Sequence, residues 1–283
     1  MERFYQIDLR KIWDWLMVGL CALSTFALLA ILFCVLGYIA LQGISGLSMD
    51  FFTKMPVPVG LSGGGAAHAV AGSLVMVGLA CILGVPWGVA VGVFLAEYEG
   101  SRLGDAVRFT ADVLTGMPSI TAGIFIYTLV VVEMQSFSAL AGGLALSIVI
   151  MPVVARNTEE ILRLIPRSMR EAALALGIPE WRVILHIVLP TAARGIGIGV
   201  TLALAGIAGD PVPLFFTALN NHYWSLNITQ PMASLPMEIF RYATAPFAAG
   251  HKLAWTGSIA LIGLVIIPML AARILMPGYK IRR

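Results

Sequence analysis

Ser168 to Pro190, with the sequence SMREAALALGIPEWRVILHIVLP, is a polar insert in an otherwise apolar chain. Ser168 and Glu171 have the Ser-x-x-Glu spacing of a capping box, which predicts a helix start. The Ala- and Leu-rich run that follows favours a helix, and Gly177 suits the left-handed conformation that ends one. Pro179 suits the first turn of a second helix, which we expect to continue through Pro190 into the next apolar segment.

The composition of the chain indicates a membrane protein. Of its 283 residues, 59% are hydrophobic and 12% are charged, and the mean hydropathy is +0.91. These values are far too apolar for a soluble domain. The net charge of +3 is too small to indicate nucleic-acid binding. The expected surroundings are therefore a lipid bilayer, and nucleic acid is not an expected partner.

Six apolar segments are predicted to cross the bilayer as helices, so the predicted fold class is an all-α integral membrane protein. The first, 15–41, is long enough to cross about 30 Å of hydrocarbon at about 1.5 Å per residue. The connections at 42–68, 102–108 and 220–252 are predicted to be a flexible loop, a short polar link and a polar, aromatic stretch. The predicted spans are 15–41, 69–95, 109–132, 139–154, 191–209 and 254–276.

Basic residues predict the orientation of these spans. Arginine and lysine concentrate near both chain ends and in alternate connections, and only Lys54, Arg241 and Lys252 fall on the other side. Because cytoplasmic connections carry the excess of basic residues, both ends of the chain and the polar insert are predicted to be cytoplasmic.

Small residues in the second span predict where helices pack. Gly84, Gly88 and Gly92 recur at four-residue spacing and therefore lie on one helix face. A face of small residues allows another helix to approach closely, so we expect close helix packing at this face.

Prolines predict two interruptions within membrane helices. Pro118 should disturb the third span, and the neighbouring Ser119 and Thr121 either line a polar route or lie beside a kink used only for packing. Pro211 and Pro213 must break the helix after the fifth span.

Asp210 begins the second interruption, next to Pro211. A carboxylate near the hydrocarbon costs a few kcal/mol unless it is paired or hydrated, so Asp210 is a candidate for the translocation path. The alternative is a carboxylate that caps the break.

The polar insert also carries a family resemblance. Glu171-Ala172-Ala173, then Gly177, then Ile187-Val188-Leu189-Pro190, resembles the cytoplasmic coupling loop of permease subunits of binding-protein-dependent ABC importers. The resemblance implies the MetI-like, type-1 permease fold with cytoplasmic coupling helices. It also implies that five residues couple the membrane helices to a separate ATPase: Glu171, Ala172, Ala173, Gly177 and Pro190.

Further motifs resemble the PstA family, the permeases of phosphate-specific importers. This resemblance implies a PstC-like permease as heterodimer partner, a PstB-like ATPase dimer and a PstS-like phosphate-binding protein. Two positions depart from the family pattern: Gly206 stands where an arginine is usual, and 209–213 reads Gly-Asp-Pro-Val-Pro in place of Gly-Glu-Thr-Ala-Pro. The matching segments are Gly84–Pro86, Phe94–Tyr98, Gly116–Ile120, Gly123–Phe125, Gly209–Ala218 and Leu235–Phe240.

The resemblance divides the chain into three expected regions. Residues 1–68 hold the first transmembrane helix and a periplasmic loop, 69–276 form the type-1 permease domain, and 277–283 form a basic cytoplasmic tail. The expected location is a bacterial inner membrane.

The expected function is a phosphate permease subunit that works by alternating access and has no ATPase site or bound cofactor of its own. The glycine tract 62–65 is not followed by the Lys-Ser or Lys-Thr of a P-loop, so ATP and Mg²⁺ would be used by the partner ATPase. The alternatives are a permease for phosphonate or another oxyanion, and a regulatory homologue that transports weakly.

An enzyme is the alternative from a different class. An intramembrane acid catalyst would have to bring Asp210 together with Asp112 or Glu133, which the predicted topology places apart. The four histidines lack metal-ligand spacing, so neither a catalytic nor a metal site is expected.

Overall fold

A computed structural model describes residues 2–57 and 63–275 of the chain, and within those ranges it contains helices and no strand. The predicted basic tail, 277–283, lies outside the described residues. Two π-helical turns, Tyr127–Val131 and Ile184–Val188, each connect two α-helices. In chain order the α-helices are α1 (Glu2–Gly43), α2 (Met49–Thr53), α3 (Ala67–Glu97), α4 (Arg102–Thr115), α5 (Ser119–Ile126), α6 (Val132–Met134), α7 (Ala139–Arg163), α8 (Arg167–Ala175), α9 (Glu180–Val183), α10 (Leu189–Ala208), α11 (Val212–Phe215), α12 (Leu235–Ala243) and α13 (Ala248–Leu275).

Five of the described helical segments are long and apolar enough to cross a membrane, and a bent pair makes a sixth if it counts as one span. The prediction of an all-α membrane protein is therefore confirmed. The five segments are Arg10–Gly46, Ala67–Glu97, Ala139–Arg163, Glu180–Ala208 and Ala248–Ile274.

The centre of the bundle is the contact between α3 and α7. Gly84, Gly88 and Gly92 are all buried on the α3 face that meets α7. A Cβ atom added at Gly84 would lie 2.6 Å from the side chain of Ile150, and one added at Gly92 would lie 2.5 Å from the carbonyl oxygen of Ala155. Only glycine permits this approach of two backbones, so the predicted close packing is confirmed.

The link predicted at 102–108 is wrong, because residues 102–115 form helix α4. The side chain of Ser101 caps this helix by accepting a hydrogen bond from the backbone N–H of Gly104 at 3.0 Å. Charged residues recur along one side of α4, which gives the helix a polar face that a count of apolar residues does not reveal.

The predicted third span, 109–132, is interrupted at Pro118 as the sequence indicated, and the interruption is a sharp bend. Pro118 lies just before α5, and the axis of α5 and α6 is bent by 101° from that of α4. Proline at this point cannot donate a backbone hydrogen bond, and it restricts the conformation of the residue before it, so the chain turns. Residues 119–134 extend over about 24 Å, which is less than the roughly 30 Å of bilayer hydrocarbon.

The predicted fourth span ends too early, because α7 continues from 154 to Arg163. The reason is Glu159, whose side chain is 1% exposed and pairs with three arginines. Its carboxylate oxygens lie 3.0 Å from Arg108 Nε, 2.9 Å from Arg156 Nη1 and 2.8 Å from Arg163 Nη2. Arg108 belongs to α4, so this buried carboxylate also fastens α4 to the last turns of α7.

The two longer connections contain helices that the sequence analysis missed. In the predicted loop 42–68, helix α2 carries Phe51, whose side chain is only 2% exposed. Phe51 packs against the start of α3 and against α13. In the predicted polar stretch 220–252, α12 is buried along one side. Both helices are short, and their stability comes from tertiary contacts rather than from intrinsic propensity.

The bundle has an α8 end and an α12 end, each called after the short helix that lies there. At the α8 end, Glu97 finishes α3 and pairs with Arg170 of α8 at 3.1 Å. At the α12 end, the backbone N–H of Leu235 donates a 2.7 Å hydrogen bond to Ser73 Oγ, near the start of α3. Helix α3 therefore runs from the α12 end to the α8 end.

The close approach of α3 and α7 predicts a specific sensitivity to added side-chain volume. Gly88→Ala should lower the free energy of unfolding by about 1–3 kcal/mol, because its Cβ would lie 2.8 Å from the Met151 carbonyl oxygen and force the helices apart. Gly78→Ala is the matched control, since a Cβ at Gly78 meets nothing within 4 Å. Thermal unfolding of both variants in detergent measures the difference, and equal stabilities would contradict the packing.

Candidate coupling and translocation site

Helix α8 is the exposed helix of the polar insert. It begins at Arg167, with Pro166 at the N-cap position, and no side-chain hydrogen bond caps it. The capping box predicted at Ser168 is therefore wrong, because Ser168 lies inside the first turn. Proline before a helix needs no cap of that kind, since its fixed backbone angle already sets the direction of entry.

The predicted end of α8 is confirmed. Gly177 has φ of +77°, in the left-handed region that glycine adopts at little cost. The N–H of Gly177 donates to the carbonyl of Leu174 at 2.9 Å, and the N–H of Ile178 donates to the carbonyl of Ala173 at 3.4 Å. This pair of bonds is the Schellman motif, which satisfies the last carbonyls of a helix and reverses the chain.

The second half of the insert continues into a membrane helix, as predicted. Pro179 takes the N-cap position of α9, one residue before the predicted first turn. The π-helical turn Ile184–Val188 then precedes Pro190, which lies in the first turn of α10. Because Pro190 lacks an N–H and its ring would meet the carbonyl four residues earlier, the extra residue in this turn relieves the clash. Pro190 therefore sets the direction in which α10 leaves the insert.

The Glu-Ala-Ala motif has two exposed residues and one buried residue. Glu171 and Ala172 are exposed, whereas Ala173 is 5% exposed and packs in an apolar cluster with Ala96 of α3 and Leu162 of α7. A small residue at Ala173 lets α8 lie close to the bundle. Glu171 lines a hollow of about 520 Å³ between α8 and the end of α3, together with Glu97, Glu99, Arg167 and Arg170.

The second predicted interruption lies between α10 and α11. Helix α10 ends at Ala208, and α11 begins at Val212. Leu214 is 2% exposed and packs with Met76, which lies about 13 Å along α3 from its first residue. Helix α11 is therefore packed in the bundle, while the break itself is only partly covered, since Gly209 is exposed and Asp210 and Pro211 are half-buried.

Asp210 is half-buried and accepts a hydrogen bond from the N–H of Val212 at 2.9 Å. The carboxylate therefore caps the first turn of α11, which matches the second of the two interpretations left open by the sequence. A carboxylate has further acceptor positions, so this bond does not remove Asp210 from the candidate path.

The other candidate path residues lie in α5, which packs against α11. A Cβ added at Gly123 would lie 2.8 Å from Pro213 Cα, so α5 and α11 are in backbone contact at this point. Ser119 is half-buried and Thr121 is exposed, one turn before Gly123. In the part of the chain that the structure describes, no hydrogen bond joins these side chains to Asp210. Their shared position rests on the α5–α11 contact.

A buried polar cluster at the α12 end was missed by the sequence analysis. Glu238 is 1% exposed and accepts a 2.7 Å hydrogen bond from Asn220 Nδ2. It also pairs with Arg241, and His68 Nε2 of α3 lies 3.6 Å away. The available signal was local: Ser234 precedes a helix start with Pro236 and an acidic residue in the first turn.

The electrostatics of this cluster favour the charged carboxylate. Burial by itself raises the pKa of Glu238, but the contacts from His68, Asn220 and Arg241 outweigh it and leave the pKa below the usual glutamate value. Burial also raises the pKa of the nearby Tyr242. The cluster therefore places a desolvated, paired carboxylate of α12 beside His68 of α3.

Two of the carboxylates named in the enzyme hypothesis have other partners. Asp112 pairs with Arg156 Nε at 3.0 Å, and Arg156 lies about 25 Å along α7 from the end near Glu133. Asp210 contacts Val212 instead. Within 2–57 and 63–275, no three His, Cys, Asp or Glu side chains lie together as a metal site requires.

The fold and the exposed insert define a class of membrane protein. Residues 88–281 match the sequence model of the family described as "Binding-protein-dependent transport system inner membrane component". A solved structure titled "Inward facing conformations of the MetNI methionine ABC transporter: CY5 native crystal form" has the same fold, with a TM-score of 0.59 and 21% identity over 72% of this chain and 91% of that chain. The chain belongs to this family of ABC transporter permease components.

The particular group within the family follows from closer relatives. A protein from Yersinia pestis named "Phosphate transport system permease protein PstA" is 44% identical, and the match covers 84% of this chain and 81% of that protein. A protein of the same name from Haemophilus influenzae is 42% identical, and the match covers 94% of this chain and 93% of that protein. A relative of the same name from Xylella fastidiosa strain 9a5c is 45% identical over 85% and 84%. The chain is a member of the PstA permeases.

The Glu238 cluster predicts a pH-dependent contribution to stability. Because the folded-state pKa is lowered, the contribution is complete above the unfolded pKa of about 4.3 and is lost as the pH falls through the lower folded value. Glu238→Gln should therefore be less stable than wild type by about 1–3 kcal/mol near neutral pH, and the difference should shrink below about pH 4.

Thermal unfolding of the detergent-solubilised protein across this pH range measures the effect. Asp50→Asn is the control, because Asp50 pairs with Lys54 in a contact whose side chains are both 59% exposed. A stability difference that is independent of pH would contradict the charged state assigned to Glu238.

Proposed function

We propose that this chain is the permease subunit of an ATP-driven importer of inorganic phosphate. It works by alternating access and is coupled to a separate ATPase. The observation that carries the proposal is the Glu-Ala-Ala motif on α8, whose Glu171 and Ala172 are exposed at one end of a bundle of the MetI-like fold. The assignment of phosphate is supported by relatives above 40% identity that are named as phosphate transport permeases.

The ATPase contacts the α8 end in this proposal. Glu171 and Ala172 point away from the bundle, and large apolar side chains beside them are also exposed: Leu176 is 80% exposed and Trp181 is 55% exposed. Apolar side chains beside a charged surface are typical of a protein interface and suit a groove on a partner. ATP and Mg²⁺ would be bound by that PstB-like ATPase dimer, and this chain would catalyse no reaction.

The remaining partners and the orientation follow the same assignment. A PstC-like permease would complete the translocation path, and a PstS-like binding protein would deliver phosphate at the α12 end. The excess of basic residues toward the α8 end supports a cytoplasmic location for that end of the bundle. The end of α1 contacts α13 near the start of α13, with Thr256 Oγ1 donating to the carbonyl of Gly43 at 3.2 Å. Both chain termini would then extend toward the cytoplasm of a bacterial inner membrane.

The proposed translocation path runs along the break between α10 and α11 and along the neighbouring helix α5. Its candidate residues are Asp210, Pro211, Pro213, Ser119 and Thr121. Phosphate in a desolvated passage requires a cation or several converging hydrogen-bond donors. Gly206 is exposed, and a Cβ added there meets nothing within 4 Å. In this proposal the companion permease supplies the positive charge opposite Gly206.

The exposed Glu171 generates a direct test of coupling. Glu171→Lys should lower ATP-driven phosphate uptake by about tenfold or more in a reconstituted complex, because it reverses the charge on the surface that meets the ATPase. Insertion into the membrane should be unchanged, since Glu171 is not buried. Glu133→Lys is the matched control at the other end of the bundle. Normal uptake by the Glu171 variant would contradict the coupling role.

The open space at Gly206 generates a test of the substrate. Purified complexes containing wild type or Gly206→Arg are reconstituted, and uptake of labelled phosphate, phosphonate and sulfate is compared. Wild type should favour phosphate, and Gly206→Arg should not raise phosphate uptake, because the companion permease already supplies the cation; a Cβ at position 206 meets nothing within 4 Å in this chain. Uptake of only a non-phosphorus solute would overturn the assignment of phosphate.

The glycine at 206 also favours one second candidate function, a regulatory permease homologue that transports weakly. The same uptake measurement separates the two candidates. A wild-type complex that associates with its partners and hydrolyses ATP, yet imports nothing until Gly206→Arg is introduced, would identify the regulatory homologue.

A further inference from the structure

Helix α8 is held to the membrane helices by few contacts. Ala173 is its buried apolar side chain, and Met169, which is half-buried, packs against the same cluster. Among the described residues, two ion pairs also join α8 to the end of α3 and the connection that follows it, Arg167 with Glu99 and Arg170 with Glu97. A movement of α8 must pass through these contacts or along the backbone.

The two ion pairs are not equivalent. The Arg167 side chain is 84% exposed and Glu99 is 51% exposed, at 3.4 Å, so solvent screens their interaction. Arg170 is only 21% exposed and Glu97 only 8%, with Arg170 Nη1 lying 3.1 Å from Glu97 Oε2. A pair removed from water resists separation much more strongly than a pair on the surface.

Arg170 joins both central helices to α8. Its Nη2 donates a 3.3 Å hydrogen bond to the carbonyl of Leu162, in the last turn of α7. Glu97 is the last residue of α3, and the glycines of α3 pack directly on α7. Arg170 therefore contacts the ends of the two most closely packed helices, one residue before the exposed Glu171. Because close-packed helices move as units, a displacement at these ends is transmitted along the bundle.

The pair also has a second arrangement available. In the described part of the chain, Arg170 Nε and Glu97 Oε1 are buried and have no hydrogen-bond partner. A guanidinium and a carboxylate can pair through two parallel bonds along one edge, such as Nε with Nη2. Glu97 now contacts Nη1 while Nη2 donates to Leu162, so a rotation of the guanidinium that exchanges these partners would give the pair a second arrangement. An element with two discrete arrangements is what energetic coupling between distant sites requires.

We propose that the Arg170–Glu97 pair is the positioning pair that transmits movement of α8 to α3 during transport. The proposal rests on the proposed function, since it assumes that an ATPase moves α8. A role limited to holding α8 in place is the competing explanation. The two differ in what is lost: a pair that only holds α8 is needed for ATPase binding, whereas a transmitting pair is needed for uptake per ATP hydrolysed.

The test uses the complete complex of this chain with its companion permease, ATPase and binding protein, reconstituted in liposomes. The variants are Arg170→Glu, Glu97→Arg and the double exchange, and Lys54→Glu, which breaks the exposed pair with Asp50, is the control. Three quantities are measured: the ATPase retained by the permease on size exclusion, the rate of ATP hydrolysis, and phosphate imported per ATP hydrolysed.

The expected result is a loss specific to coupling. Each single variant should retain the ATPase but import about tenfold less phosphate per ATP, and the double exchange should recover most of the loss because the opposite charges face each other again. The control should match wild type. If single charge reversals fail to assemble in the membrane, Glu97→Gln and Arg170→Gln are measured against the same criteria.

Three results would overturn the proposal. They are an unchanged import ratio in the single variants, a double exchange no better than the single variants combined, and loss of the ATPase from the complex. A wild-type complex that imports a different solute would overturn the assignment of phosphate only, because the same comparison can then be made with that solute.

Discussion

The contact between α3 and α7 is the constraint on which the rest of the structure depends. In a lipid bilayer there is no hydrophobic driving force for helix association, so two membrane helices associate through close van der Waals packing. Gly84, Gly88 and Gly92 provide it by allowing the α3 backbone to touch α7. Helix α11 packs against this pair of helices, and α12 is bonded to α3.

Charged groups fasten the surrounding helices at the two ends of the central pair. At the α8 end, Glu159 joins α4 to α7, and Glu97 joins α8 to α3. At the α12 end, Glu238 of α12 lies 3.6 Å from His68 of α3. Each of these carboxylates is less than one-tenth exposed, so its pairing depends little on the surrounding salt. The bundle thus combines an apolar centre with oriented, desolvated contacts where other proteins would bind.

Several features could be predicted from local sequence because their causes are local. The left-handed Gly177, the helix break at Pro118 and the glycine face of α3 follow from backbone geometry within a few residues. The family resemblance of the polar insert could also be recognised from its sequence motif. The cap predicted at Ser168 failed because Pro166 already directs the helix start, and α4 was missed because its charged face resembles a polar link.

The sequence by itself determined that this chain is a helical membrane protein with a polar helical insert, since hydropathy, proline and glycine act through short-range physics, and the Glu-Ala-Ala pattern resembled that of a permease family. Only the tertiary structure decided that Glu238 meets His68, that Arg170 meets Glu97 and that Asp210 caps α11. The residues of the first two pairs are far apart in the chain. A buried carboxylate chooses its partner by position in space, because the cost of desolvation is offset only by a charge or donor that the fold brings within reach.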